Sequence, residues 1–158
     1  MYLIDTNIVS EIRKGRKANH GVQAFWQAAY VDSLYLPVQT IGEIRYGVES
    51  IKDRGDAKQA MVLERWLDQV IAEFAERILP FDQDCAQVWG RLMSPGKRHP
   101  IDKQIASIAL INRLTVVTRN INDFQGTGVK ILNPFYKTTD QRALRTLPRR
   151  PWKTSRNH

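Results

Sequence analysis

Short apolar runs alternate with longer amphipathic stretches along this chain. Tyr2–Ile4, Leu34–Leu36, Ile78–Leu79, Thr115–Thr118 and Val129–Leu132 are apolar or β-branched runs. Asp5 ends the first, Pro37 the second, Pro80 the third and Asn133-Pro134 the last, so each reads as a short strand. Between them apolar residues recur at helical spacing. Val22–Tyr30 is one such stretch, and Thr40–Ser50 is a second, with Ile41, Ile44 and Val48 on one face. Ala57–Glu76 is the longest, with Met61, Leu63, Trp66, Leu67, Val70, Ile71 and Phe74 mostly in step. Asp84–Met93 follows, then Ile101–Asn112 with Ile105, Ile108 and Ala109 on one stripe. Strands alternating with helices predict an α/β fold: a five-stranded, mainly parallel sheet flanked by helices, with right-handed crossovers. No internal repeat or second core is visible. The apolar pattern stops at Lys137, which predicts one domain over 1–136 and a flexible basic tail over 137–158.

Charge sharpens that division. The chain has 158 residues and a net charge of +8. Residues 1–136 hold 17 basic and 15 acidic side chains, whereas residues 137–158 hold 7 basic and 1 acidic. The body is nearly balanced and the excess sits in the tail. Such a tail attracts polyanions, nucleic acid first among them, or simply solubilises the end of the chain. The length suffices for a core without staples, and the single cysteine, Cys85, has no internal partner. No apolar run reaches the roughly 18 residues of a membrane span. MYLIDTN lacks the basic and apolar regions of a secretory signal. The expected location is the cytoplasm, with no membrane partner.

In open parallel sheets, ligands bind beyond the carboxyl ends of the strands, and several acids fall there. Asp5 follows the first strand, and Glu43 lies in the first turns of the helix after the second. Asp102 is near the start of the helix before the fourth strand, and Asn120 and Asp123 follow that strand in TRNINDF. Clustered carboxylates repel and raise one another's pKa. A hard divalent cation offsets the repulsion, and Mg²⁺ prefers carboxylate and water oxygens. Such an ion activates water and stabilises charge on a phosphodiester. Taken singly, each acid has an ordinary reading as a turn residue, helix cap or solvated helix position. Asp82 is better read as the cap of the helix beginning near Asp84.

Trp26, Trp66 and Trp89 lie on helical stripes and read as core or dimer contacts, while Trp152 sits in the tail and could stack on a base. His20, His99 and His158 are scattered without zinc-ligand spacing. Gly126 and Gly128 are too few for a phosphate loop, and no GxxxxGK[ST] is present. Arg13, Lys14, Arg16 and Lys17 are candidate RNA-backbone contacts or a solvated loop.

The order of these segments resembles the PIN-domain family, in particular the VapC and FitB-like toxins. LIDTNIVSEI is similar to the family's N-terminal hydrophobic-Asp-Thr-Asn motif, and TIGEIRYGV to the helix carrying its Glu. ERILPFD resembles the third-strand segment, IDKQIASIALINRLTVVTRNINDF the block of later acids, and GVKILNP the closing strand. The likeness spans roughly residues 1–136. It implies that Asp5, Glu43 and Asp102 match the three most constant metal-binding, catalytic acids. The fourth place falls between two residues. Many relatives have Asp directly after Thr-Arg, where this chain has Asn120; others have Asn there and an acid three residues on, which matches Asp123. Asp123 is assigned to it, with Asn120 a neighbouring polar contact. Thr6 or Asn7 could orient ligands or waters from behind the metal ligands, the resemblance favours the Thr6 hydroxyl, and it implies Thr118 and Arg119 as holders of the phosphate or the local turn.

The family further implies a Mg²⁺-dependent endoribonuclease, with Mn²⁺ able to substitute, cutting structured RNA (tRNA or ribosomal RNA). It implies a homodimer neutralised by a cognate antitoxin, with operator DNA bound only through that antitoxin. The rival readings are a non-catalytic PIN-fold module that binds RNA or protein, and another Mg²⁺-dependent phosphotransfer enzyme. The second lacks the expected DxD, since Asn7 stands where the second Asp would be.

Overall fold

The structure is a computed structural model describing residues 1–94, 96 and 98–135. The basic tail and Trp152 lie outside the described residues. In chain order the strands are β1 (Tyr2–Ile4), β2 (Leu34–Pro37), β3 (Ile78–Leu79), β4 (Thr115–Val117) and β5 (Lys130–Leu132). The helices are α1 (Thr6–Ile12), α2 (His20–Ala28), α3 (Val38–Asp53), α4 (Ala57–Phe74), α5 (Gln83–Met93) and α6 (Pro100–Ile111).

The strands form one sheet in the order β3-β2-β1-β4-β5. Every neighbouring pair is parallel, so the sheet is wholly rather than mainly parallel. β1 is the central strand, with Tyr2 level with Leu34 on one side and Thr115 on the other. Successive residues of a strand face opposite ways, and β1 shows the consequence. Leu3 packs with Val116, Ile105, Ile108 and Phe124 on the α6 face. Ile4 packs with Ile8, Val22, Leu36, Val70 and Phe74 on the other. Both are fully buried. Two apolar layers on one sheet hold the strand ends in fixed positions.

The element boundaries expose where periodicity falls short. α1 has no counterpart in the sequence reading, because seven residues show barely two helical turns and TNIVSEI is no clearer as a helix than as a loop. α2 begins two residues before Val22, because the Asn19 side chain accepts from the backbone N–H groups of Gly21 and Val22 (2.9 and 3.3 Å). It ends at Ala28, leaving Tyr30 outside and exposed. α3 starts at Val38 and runs to Asp53, longer at both ends than its apolar stripe. α4 stops at Phe74, short of Glu76. Thr118 lies just beyond β4, and Val129 just before β5. No helix among the described residues is long and apolar enough to cross a membrane.

Candidate active site

The chain moves outward from β1 to β2 and β3, then returns to lay β4 and β5 on the opposite side. The carboxyl ends of β1 and β4 therefore flank the point where the winding reverses, the usual ligand crevice of such sheets. Asp5 is the first residue after β1. Its backbone N–H bonds to Val117 of β4 (3.0 Å), and the residue is only 5% exposed. Its carboxylate accepts three hydrogen bonds: from the Thr6 N–H (2.8 Å), the Asn7 amide (2.7 Å) and the Thr118 hydroxyl (2.6 Å). The first of these also makes Asp5 the N-cap of α1.

Asn7 ties the two strand ends together. Its amide also donates to the Thr118 hydroxyl (3.1 Å), and its carbonyl accepts from the Arg119 N–H (3.2 Å). Thr118 is fully buried and takes a further bond from the Asn120 N–H (3.0 Å). It thus orients Asp5 and holds the local turn. The Arg119 guanidinium stacks on the Phe135 ring (5.2 Å).

Glu43, from the second turn of α3, meets this edge through Thr6. The Thr6 hydroxyl donates to the Glu43 carboxylate and is hydrogen-bonded to the buried hydroxyl of Thr40 (3.1 Å). Asp102 arrives on the first turn of α6, and Asp123 on a 3₁₀ turn (Ile121–Phe124) after β4. His99 lies between those two, its Nδ1 3.4 Å from Asp123 and 3.8 Å from Asp102. Ligand atoms of these three residues all fall within 4.8 Å of one another.

The four carboxylates feel one another. Burial pushes the Asp5 carboxyl above its ordinary value despite its three hydrogen bonds, and Asp123 adds to the rise. Burial does the same to Glu43, against the Thr6 hydrogen bond, with Asp5 contributing. Asp102 is pushed from 3.8 up to about 6 by burial and then by Asp123 and Asp5, with His99 opposing. Among the described residues, the ligand atoms close enough to share one ion are those of His99, Asp102 and Asp123, and Asp5 and Glu43 add to the charge that Asp102 feels. An oxygen-rich donor set whose charges destabilise one another fits a hard divalent cation.

That crowding has a measurable sign. Between about pH 4 and 6 the folded state binds more protons at Asp102 than the unfolded chain does. Stability therefore falls as pH rises through this window and stays reduced above it. The displacement corresponds to at most roughly 3 kcal/mol, and to less where solvent screens it. Asp102→Asn in chelator should raise the thermal midpoint above pH 7 by about 3–8 °C and flatten the profile between pH 4 and 6. Thermal melts across pH test this; equal slopes for parent and variant would refute the crowding.

The model of the PIN-domain family matches residues 2–129. The chain belongs to the PIN-domain family. This PIN domain is 33% identical over 142 residues to Toxin FitB of Neisseria gonorrhoeae, covering 86% of this chain and 99% of that protein. It is 29% identical over 140 residues to a VapC ribonuclease of Sinorhizobium fredii, covering 85% and 98%. The crystal structure of FitAcB from Neisseria gonorrhoeae superposes with a TM-score of 0.77 at 31% identity, over 87% of this chain and 100% of that one. A toxin-antitoxin complex from Klebsiella pneumoniae, with a TM-score of 0.60 at 22% identity, shares the fold.

Several other expectations can now be placed on this PIN domain. Asp82 caps α5, its carboxylate accepting from the Cys85 N–H (2.9 Å). Asn120 contributes its backbone to Thr118, whereas Asp123 brings its carboxylate to Asp102. Arg13 stacks on Trp66 (5.0 Å), and Lys14 pairs with Glu11 (2.6 Å). Two of the four candidate RNA-backbone cations thus already have internal partners, while Arg16 and Lys17 stay exposed. Trp26 and Trp66 pack against the core, and the Trp89 N–H donates to the Pro100 carbonyl (3.1 Å). The view of the histidines as scattered needs correction for His99. Its place three residues before Asp102 was a visible signal, but its neighbour Asp123 was not. Thr40 and Glu11, both buried, were also passed over. Glu11 accepts from the Asn19 N–H (2.8 Å) and anchors the turn after α1.

Proposed function

We propose that this PIN domain is a divalent-metal-dependent endoribonuclease acting as the toxin of a toxin–antitoxin pair. Mg²⁺ is the resident ion, Mn²⁺ substitutes for it, and structured RNA (tRNA or ribosomal RNA) is the substrate. What supports this reading is that ligand atoms of Asp102, Asp123 and His99 fall within 4.8 Å of one another, and that burial, then the charges of Asp123 and Asp5, push Asp102 up to about 6. The names of its relatives, a toxin and a ribonuclease, support it.

In this mechanism Asp5, Glu43, Asp102 and Asp123 hold the ion. When bound, the ion supplies charge neutralisation and activation of a water for in-line attack on phosphorus. Thr6, Asn7 and Thr118 fix the Asp5 carboxylate, and Thr6 also orients Glu43. That network presents aligned oxygens before substrate arrives, so little reorganisation is left for the reaction. Alone, the acids repel a phosphodiester, and the ion offsets that repulsion. The products are a 5′-phosphate and a 3′-hydroxyl.

The protein works as a homodimer held inactive by a cognate antitoxin, and operator DNA is contacted through the antitoxin. The purified chain incubated with labelled tRNA and ribosomal RNA should cut both only rarely along their length, and only with Mg²⁺ or Mn²⁺. Excess chelator should stop cleavage and added Mg²⁺ restore it. Undiminished cutting in chelator would refute the mechanism, and metal-dependent binding without any cut would favour the non-catalytic reading. Expression should arrest growth, and a co-expressed antitoxin should relieve the arrest.

A further inference from the structure

A pocket of about 450 Å³ opens at His99 and Asp123, which line it. Arg98, Lys103, Asn122 and Gln125 line the rest of it, with Gly96 at its rim. One wall is the chain entering α6 and the first turn of that helix; the other is the 3₁₀ turn after β4. Its chemistry is opposite to that of the acidic crevice. It carries two permanent cations against a single carboxylate, Asp123, which the crevice shares.

Lys103 and the Asn122–Gln125 pair are hydrogen-bonded within the pocket, and Arg98 is exposed at it. The Lys103 ammonium donates one of its three N–H groups to the Gly96 carbonyl (2.7 Å), which holds it at the pocket wall. The Trp89 N–H on the Pro100 carbonyl (3.1 Å) ties this connection back to α5. The Gln125 amide donates to the Asn122 carbonyl (3.1 Å). That bond leaves the Asn122 amide as a donor and the Gln125 carbonyl as an acceptor, side by side. Paired donor and acceptor groups of this kind match the edge of an unpaired base. The volume lies in the range of small-ligand sites, about 300–1,000 Å³.

We propose that this pocket is the subsite for a nucleotide flanking the cut, with its phosphate held by Arg98 and Lys103 and its base edge met by Asn122 and Gln125. The proposal rests on the RNA-cleaving reading and adds to it a residue-level account of strand placement. Because His99 and Asp123 belong both to the acidic cluster and to this pocket, an RNA strand held at the cluster lies close to Arg98 and Lys103.

The test uses the full chain carrying Asp5→Asn, which separates binding from cutting, and a labelled single-stranded RNA oligonucleotide of mixed sequence. Binding is measured by anisotropy over a range of salt. Arg98→Gln and Lys103→Gln should each weaken binding several-fold and reduce the salt slope by about 1, with the double variant close to the sum. Lys58→Gln, on α4 outside the pocket, should leave the slope unchanged. In the chain with Asp5 intact, Asn122→Ala/Gln125→Ala should keep the salt slope but shift the nucleotide found next to the cut, read by sequencing the ends. Parental affinity and slope in Arg98→Gln/Lys103→Gln, or unchanged cut sites in Asn122→Ala/Gln125→Ala, would overturn the assignment of the corresponding pair. If both occur while the parent still binds and cuts RNA, the subsite alone falls. If the parent neither binds nor cuts, the RNA reading falls and the subsite with it.

Discussion

Asp5→Asn should lower RNA cleavage by roughly three orders of magnitude or more while leaving the fold intact. Asp5 is the most enclosed of the four acids and the only one rooted directly at the end of the central strand. Three hydrogen bonds hold its carboxylate in place, so no neighbouring carboxylate can rotate in to replace it. An asparagine has the same shape but half the acceptor capacity and no charge. With its oxygen toward the Asn7 amide and the Thr118 hydroxyl, the asparagine keeps both of those bonds and turns its NH₂ toward the Thr6 N–H, which loses its acceptor. That costs about 1 kcal/mol. Losing a desolvated charge that Asp123 and Glu43 oppose returns a similar amount. Stability should therefore stay within about 1 kcal/mol of the parent. Cleavage of labelled RNA, paired with thermal melts of the same preparation, checks both halves. Full activity in a folded Asp5→Asn protein would remove Asp5 from the chemistry.

Leu3→Ala should have the opposite profile. Leu3 stands two residues before Asp5 on the central strand, level with Tyr35 on one side and Val116 on the other. It is fully buried among Ile105, Ile108 and Phe124. Truncation removes the transfer free energy of the lost methyl and methylene groups and leaves a cavity that a sheet clamped between helices cannot close. The expected loss is about 3–5 kcal/mol, or a fall of about 10 °C or more in thermal midpoint for a domain of this size. That is a large share of the roughly 5–15 kcal/mol that keeps a domain folded. Denaturant titration measures it, with an unchanged slope expected because the native fold is unchanged. Well below the transition, cleavage per folded molecule should match the parent, since the Asp5 network touches none of the deleted atoms. A loss under about 1 kcal/mol would mean that Leu3 is not at the centre of the core.

The two substitutions lie on one strand and separate its two tasks. Leu3 and Ile4 bind the helical layers to the sheet, and Asp5 uses the position so defined. Asp102→Asn belongs with the first of the pair: it too removes a charge that the fold holds at a cost, and a stability gain without metal is expected of it.

Much of the strand and helix order was legible because it is written in local periods. Four strands fell where apolar runs meet Asp5, Pro37, Pro80 and Asn133, β4 fell in the β-branched run Thr115–Thr118, and five of the six helices among the described residues followed their apolar stripes. Boundaries went astray where a cap, not a stripe, sets the helix start, as Asn19 does for α2. α1 escaped because its helical state depends on Asp5 capping it and on Ile8 and Val9 finding the core. Neither condition is visible in seven residues.

By itself, the sequence determined the alternation of elements, the parallel sheet, and which acids stand at strand ends and helix starts, because hydrophobic period and capping chemistry act between near neighbours. Only the tertiary structure decided that Thr118 holds the Asp5 carboxylate, that Thr6 meets Glu43, and that His99 lies between Asp102 and Asp123. Those pairings join residues as distant as Asp5 and Thr118. They depend on strand order and on how far each helix carries its first turn past the sheet edge, and no local pattern encodes either.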